Sequence, residues 1–273
     1  MSIMSTQSIM MMKNEMLNEN TMPSVSIIMA AYNAEKTILE AITSVQKQTF
    51  PDWELLVVND CSTDSTAKIV SGISGSDSRI HIINNTVNSG VSLTRKRGLD
   101  EARGEWIAIL DSDDIWMPNK LEKQIKLANQ TGGELIFTGS AFMDEGGTPL
   151  DWVLHVPETI EYNRLLMQNI VSNSSVLVKT DLYRSHYATG DGMHEDFAIW
   201  LKITRDGHTA YGIDEPLLVY RLSSSSKSGN KLKAAKMNWK TYRYVGLNAI
   251  ESSYYMCWYF MRGIQKYRHL WKH

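Results

Sequence analysis

Two aspartates one residue apart, Asp111 and Asp113, follow directly on the apolar run WIAIL (106–110), with Ser112 between them. Carboxylates at that spacing on the end of a strand can direct oxygen ligands to one divalent cation, and Mn²⁺ and Mg²⁺ favour such oxygen shells. A diphosphate would supply further oxygens, and the cation would offset charge building on a departing nucleotide. A solvated acidic turn has the same composition, so the pair gains meaning only from its surroundings. Other polar groups stand in comparable places. Tyr32-Asn33 closes VSIIMAA (25–31), Asn59-Asp60 closes WELLVV (53–58), and Glu195-Asp196 precedes the periodic stretch 197–203.

The elements that must position these residues are legible as apolar runs alternating with helical patterns. Strands are expected at 25–31, 53–58, 80–83 and 106–110, with helices at 36–48, 65–70 and 93–102 between them. Further on, a helix at 120–128 leads to strands at 134–138, 176–178 and 217–220, with a helix at 197–203 before the last. Such alternation implies an α/β domain with a mainly parallel central sheet flanked by helices. In sheets of this kind ligands bind beyond the carboxyl ends of the strands, and Asn33, Asp60, Asp111 and Asp113 all follow strands. The fold therefore brings them to one edge.

The bulk numbers bound the rest. A chain of 273 residues with 43% hydrophobic composition suffices for one large domain and an appendage. The expected division is a loose leader at 1–22, a catalytic domain at 23–222, and a flexible loop with a helical segment at 223–273. A net charge of −2 gives no overall basic field for nucleic acid. Cys61 and Cys257 stand far apart and outside any CxxC or Cys/His cluster, as ordinary thiols of a reducing compartment do. No stretch approaches the roughly 18 apolar residues of a membrane span, and the start of the chain lacks a signal peptide's basic and apolar regions. A cytoplasmic protein, peripheral at the inner face of the cell membrane, is expected.

Read together, the blocks at 25–66, 88–118 (NSGVSLTRKRGLDEARGEWIAILDSDDIWMP) and 194–207 (HEDFAIWLKITRDG) resemble the family-2 glycosyltransferases of the glycosyltransferase A fold. The resemblance extends over about 23–221. It implies inverting transfer of a sugar from a nucleotide diphosphate donor, usually a UDP-sugar, with a divalent cation. By position, Ala30, Tyr32 and Asp60 border the base pocket, with Asp60 accepting from the uracil N–H. Arg95 approaches the nucleotide, Asp111 with Ser112 the ribose, and Asp113 the metal and diphosphate. Asp196 matches the catalytic base, with Glu195 beside it. The SSSSKSGNK segment (223–231) resembles one that folds over bound nucleotide in relatives, where Arg221 just before it and Lys227 within it could meet the diphosphate; a mobile loop has the same composition. The chain departs from the common pattern at Ala30, where proline is frequent, at Asn59, where aspartate is, and at Lys96, where asparagine is. These departures bear on the shape of the base pocket.

Plainer roles stand beside these. Asp60 could cap the following helix, although Ser62 and Asp64 are better placed for that. Arg95 alone would read as a solvated helix charge, Glu195 and Asp196 as first-turn acids favoured by the helix dipole, and Trp200 as core packing. Two rival functions are a sugar nucleotidyltransferase, which commonly carries a glycine-rich basic loop that AAYNAEKT lacks, and an inactive sugar-nucleotide or glycan-binding module. In the last segment ten basic residues from Lys227 to Lys272 face the single acid Glu251, with aromatic residues interleaved. That pattern suits an anionic membrane surface, and equally a helical appendage packed on the catalytic domain. The acceptor expected from the resemblance is a glycan or polyprenyl-linked oligosaccharide of surface polysaccharide assembly.

Overall fold

The run Val25–Ala31 (β1) has one polar position before its end, Ser26, and lies at the middle of a sheet with both faces covered. In the computed structural model, which describes residues 22–190, 192–222 and 231–267, β2 (Trp53–Asn59) and β4 (Trp106–Ile109) flank β1 in parallel, and β3 (Ile80–Asn84) continues beyond β2. The buried Ser26 hydroxyl donates to Glu54 Oε1 (2.6 Å) and accepts from Gly104 N (2.7 Å). Glu54, also buried, takes Arg103 Nη2 at 2.7 Å. Thus Ser26 and Glu54, inside the parallel layer, are both paired, as burial requires.

Helices α1 (Ile38–Gln46), α2 (Thr66–Ser74) and α3 (Val91–Glu101) cross between these strands. At Gly98 a Cβ would stand 2.7 Å from Ile28 Cγ2, so glycine is what lets α3 lie this close to β1. The second half adds β5 (Ile115–Trp116), α4 (Lys120–Thr131), β6 (Leu135–Met143), β7 (Pro149–Leu154) and β8 (Thr159–Ile160). It continues with α5 (Tyr162–Met167), a tight turn at Asn173–Ser175, β9 (Leu177–Lys179), α6 (Thr180–His186), α7 (Glu195–Arg205) and β10 (Ala210–Arg221). The main sheet runs β3-β2-β1-β4-β9-β6-β10-β5, with β7 beside β6 and β8 beside β10. Strands β1 to β4 and the β6–β10 pair are parallel; β9 enters antiparallel between β4 and β6. Alternate residues of β1 feed two cores, Ile28 with Ile107, Phe137 and Trp200 on one face and Ile27 with Ile42 and Val57 on the other.

The expected architecture of a sheet flanked by helices, followed by C-terminal helices, is present. Boundaries differ where small or charged residues interrupt an apolar run. β6 continues past Thr138 through Gly139, where a Cβ would meet Glu215 O at 2.9 Å, so glycine permits close backbone approach there. β10 begins at Ala210 rather than 217 because its register shifts around Pro216 while Asp214 accepts from Val156 N (2.9 Å). Trp200 is fully buried beside Tyr183, as core packing requires. Cys61 and Cys257 are free thiols.

Helices α8 (Lys231–Tyr244) and α9 (Ala249–Tyr267) pack on α7 and α5, and the buried Tyr242 hydroxyl donates to Leu166 O at 2.6 Å. Among the described residues no helix is long and apolar enough to cross a membrane. The expected leader, except Met22, and the loop at 223–230 lie outside the described residues.

Candidate active site

The carboxyl ends of β1, β4, β6 and β10 open into one cavity of about 940 Å³. Its position, where the strand order turns back at β1 and β4, is where α/β sheets bind ligands. Ala30, Tyr32 and Asn33 line one side, Asp111, Ser112 and Asp113 the floor, and His194, Glu195 and Asp196 the side supplied by α7. The wall opposite the β1 loop includes Phe142, Leu154, Leu222 and Tyr259.

Loop 32–35 is fixed by a reciprocal latch to loop 62–66. Asn33, at φ 50°, accepts Thr63 N through Oδ1 (2.8 Å), Asp64 Oδ2 accepts Glu35 N (3.0 Å), and Glu35 returns a bond from Ser65 N (2.9 Å). Asp64 Oδ1 also accepts Thr66 N at 2.9 Å, so Asp64 secures the start of α2. Asp60 is different. It does not line the cavity; its carboxylate accepts Asn85 Nδ2 (2.8 Å), Ser89 N (2.9 Å) and Gly90 N (2.9 Å), tying down the loop that enters α3. Burial alone would raise its pKa, but these donors win and hold it below the ordinary carboxylate value. Neither of the two roles read from sequence, base contact or cap of α2, describes that set of partners.

Arg95 carries the central contact. Its Nη1 donates to Glu195 Oε1 at 3.0 Å and its Nη2 to Asp111 Oδ1, joining α3, the end of β4 and the start of α7. The side chain is 8% exposed. Burial works against its charge, yet Asp111 and Glu195 more than compensate and raise its pKa further, so it stays cationic. Arg95, expected to approach the nucleotide, lines the cavity and spends its fork on two carboxylates of the site.

Arg221 is likewise engaged. Nε donates to Asp113 O (2.9 Å), Nη1 to Glu145 O (3.4 Å) and Nη2 to Glu40 Oε2 (2.7 Å), while its backbone N–H donates to Asp114 Oδ1 (3.0 Å). It lines the cavity, but its guanidinium binds the acidic loop from behind. Lys227, the other residue expected at the diphosphate, lies outside the described residues. Glu40, Asp114 and Ser174, whose Oγ accepts Asp111 N at 3.1 Å, were not singled out in the sequence. Asp114 stood in plain view in the run DSDD; Glu40 and Ser174 carry no local signal.

Electrostatically the acids are crowded. Asp113 is pushed up to about 6 by burial and by the Asp111 charge, with Arg221 and Arg95 opposing. Asp114, wholly buried, is raised well above the usual value by burial and then by Asp111 and Asp113. Asp196 is raised by burial and by Glu195, against His194 and Arg95. Among the described residues no group of three or more acids, histidines or cysteines forms a ready metal cage. The carboxylate oxygens of Asp113, beside the Arg95-bound Asp111, are of the hard type that a divalent cation takes.

A parallel layer ending in one acidic pair is thus joined to a mixed half that supplies a second. Residues 26–181 match the family described as Glycosyl transferase family 2, and the chain belongs to that family. Over 224 residues it is 39% identical to the putative teichuronic acid biosynthesis glycosyltransferase TuaG of Bacillus subtilis, covering 82% of this chain and 89% of the relative. It is 36% identical to WfgD of Escherichia coli, a UDP-Glc:alpha-D-GlcNAc-diphosphoundecaprenol beta-1,3-glucosyltransferase, with 89% and 94% covered. The fold is shared with S. aureus TarS 1-349 in complex with UDP-GlcNAc (TM-score 0.70, 18% identity, 89% and 73% covered). It is shared too with the Pyrobaculum calidifontis mannosyltransferase PcManGT in complex with GDP-Man and Mn²⁺ (TM-score 0.65, 17% identity, 92% and 71% covered).

Because Arg95 separates two carboxylates in a nearly dry setting, Arg95→Met is expected to lower unfolding free energy by about 3–5 kcal/mol, well beyond the effect of losing an exposed pair. Urea denaturation of the variant and wild type measures this; a change under about 1 kcal/mol would show that the bridge carries little.

Proposed function

We propose that the protein is an inverting hexosyl-type transferase that moves a sugar from a UDP-sugar to a hydroxyl of a polyprenyl-linked saccharide in surface polysaccharide assembly. The observation that carries this reading is the Arg95 bridge, which gathers the strand-end acids and Glu195-Asp196 around one cavity. The UDP-sugar and diphosphoundecaprenol substrates in the name of WfgD, and the UDP-GlcNAc bound to TarS, support the choice of donor and acceptor.

In the proposed reaction the donor's base lies along Tyr32 and Ala30, against the wall steadied by Asp60. Asp111 and Ser112 face the ribose, and Asp113 would hold a Mn²⁺ or Mg²⁺ ion. That ion, when bound, offsets charge on the diphosphate. Asp196 takes the proton of the acceptor hydroxyl, whose oxygen forms the new bond to the anomeric carbon as the bond to the β-phosphate oxygen breaks. The bonding pair leaves with the UDP and configuration inverts. Burial and Glu195 raise the Asp196 pKa, making it a stronger base than an ordinary aspartate. Arg95 fixes Glu195, and through it the start of α7, while Arg221 steadies the acidic loop from behind.

The outer face of α9 provides a membrane contact in this reading. Ile250 is 83% exposed and Phe260 70%, with Tyr254 and Met261 also half exposed or more, whereas Tyr259 of the same helix lines the cavity. Together with the basic excess at 227–273, such a face favours an anionic lipid surface and would bring the cavity to its lipid-linked acceptor.

Asp196→Asn is expected to cut transfer by about 10²–10⁴-fold with UDP affinity nearly unchanged, since the amide keeps size but cannot take the proton. Because the base works only when ionised, kcat/KM falls as pH drops through the raised Asp196 pKa. Glu195→Gln removes the like charge and moves that acid limb to lower pH. Sugar-transfer rates across pH, paired with calorimetric UDP titrations, test both; near wild-type transfer by Asp196→Asn would place the base elsewhere. For the metal, Asp113→Ala is expected to abolish Mn²⁺-dependent donor binding, and unaltered binding in the variant or after EDTA would remove the cation from the scheme. For the membrane, replacing Tyr254, Phe260 and Met261 together with serine is expected to abolish sedimentation with phosphatidylglycerol vesicles while leaving transfer to a short soluble acceptor intact. Equal sedimentation of the two folded proteins would refute the α9 contact.

A further inference from the structure

The turn at Asn173–Ser175 packs between β4, β6 and β10, and its neighbours are committed to the protein. Ser174 Oγ accepts Asp111 N (3.1 Å) and Ser174 O accepts Trp116 Nε1 (2.7 Å). Ser175 N donates to Ser172 O (2.9 Å), and Ser175 O accepts Gln124 Nε2 (2.9 Å). Asn173 is the exception. It is 9% exposed and lines the cavity, yet both its Oδ1 and its Nδ2 are buried without a hydrogen-bond partner. A carboxamide so placed leaves an acceptor and a donor unpaired, which is costly for the protein alone. The turn is held rigidly on both sides, so the amide is set in advance for something that enters the cavity.

What enters must offer a donor and an acceptor to one planar group, and two neighbouring hydroxyls on a sugar ring do so. The next residue, Ser174, holds the backbone of Asp111, so Asn173 stands beside the acidic loop at the diphosphate end of the proposed donor site. The apolar wall at Phe142, Leu154 and Leu222 is less suited to reading hydroxyls by hydrogen bonds. We infer that the Asn173 carboxamide recognises a pair of adjacent hydroxyls on the sugar ring of the nucleotide-sugar donor, giving and receiving one hydrogen bond. The inference rests on the donor reading of the cavity above. A site whose buried polar groups are paired only by the correct hydroxyls also rejects a sugar lacking them, which makes Asn173 a specificity-determining residue.

The test measures calorimetric affinity for UDP and for UDP-glucose, UDP-galactose and UDP-N-acetylglucosamine with wild type, Asn173→Ala and the similar-sized Asn173→Leu. Expected are unchanged UDP affinity, a loss of about 10–100-fold for the sugar donor wild type prefers, and a Tm of Asn173→Leu equal to or above wild type. The last result separates recognition from scaffolding, because a residue kept for structure would lower Tm when replaced. No loss, equal weakening of UDP and UDP-sugar, a rise confined to acceptor KM, or an Asn173→Leu that unfolds would each overturn the Asn173 assignment. Absence of UDP binding by wild type would overturn the donor reading itself, and the assignment with it.

Discussion

The site depends on one buried cation held between two anions. Arg95 comes from a helix whose neighbours Gly98 and Leu99 face the sheet, Asp111 from the end of a central strand, and Glu195 from the first turn of α7. Removing charges from water is costly, and the Coulomb return offsets that cost only with good geometry. The requirement works as a constraint on shape: α3, β4 and α7 have to arrive together for any of the three charges to be tolerated. Asp196, one residue beyond Glu195, inherits its place from the same arrangement.

The remaining acids follow from that constraint. With Asp111 bound to Arg95, Asp113 and Asp114 are left near a like charge, and their pKa values rise with burial. Arg221 answers mainly through its position, gripping the backbone of Asp113 and taking its counter-charge from Glu40. The loop is thus held in place without full neutralisation, an arrangement in keeping with a role toward polyvalent ligands.

Much of this was legible because chemistry here follows apolar runs. Tyr32, Asp111, Asp113 and Asp196 announced themselves at the ends or starts of strands and helices, and the cavity does gather them. What the sequence hid was pairing. Arg95 and Glu195 are one hundred positions apart, and no periodicity links them, so Arg95 read as a residue for a ligand when its hydrogen bonds go to the protein. The partners of Asp60 were hidden for the same reason, its donors lying in the loop after β3. Lys120, noted in the sequence only as the start of a helix, is fully buried, donating to Gln124 Oε1 at 2.7 Å with its ammonium over the Trp116 ring. Asn173 sits in a serine-rich stretch that carries no local signal, and only burial reveals its unsatisfied amide.

The contact between Glu40 and Arg221 joins positions 181 apart in the chain, one on a helix face and one at a strand end. Its consequence is epistatic. A change at Glu40 acts on the acidic loop only while arginine stands at 221, so the two positions form a unit whose substitutions combine non-additively. Laboratory evolution of this chain would find α1, remote from the acids in sequence, behaving as part of the same heritable module as the acidic loop.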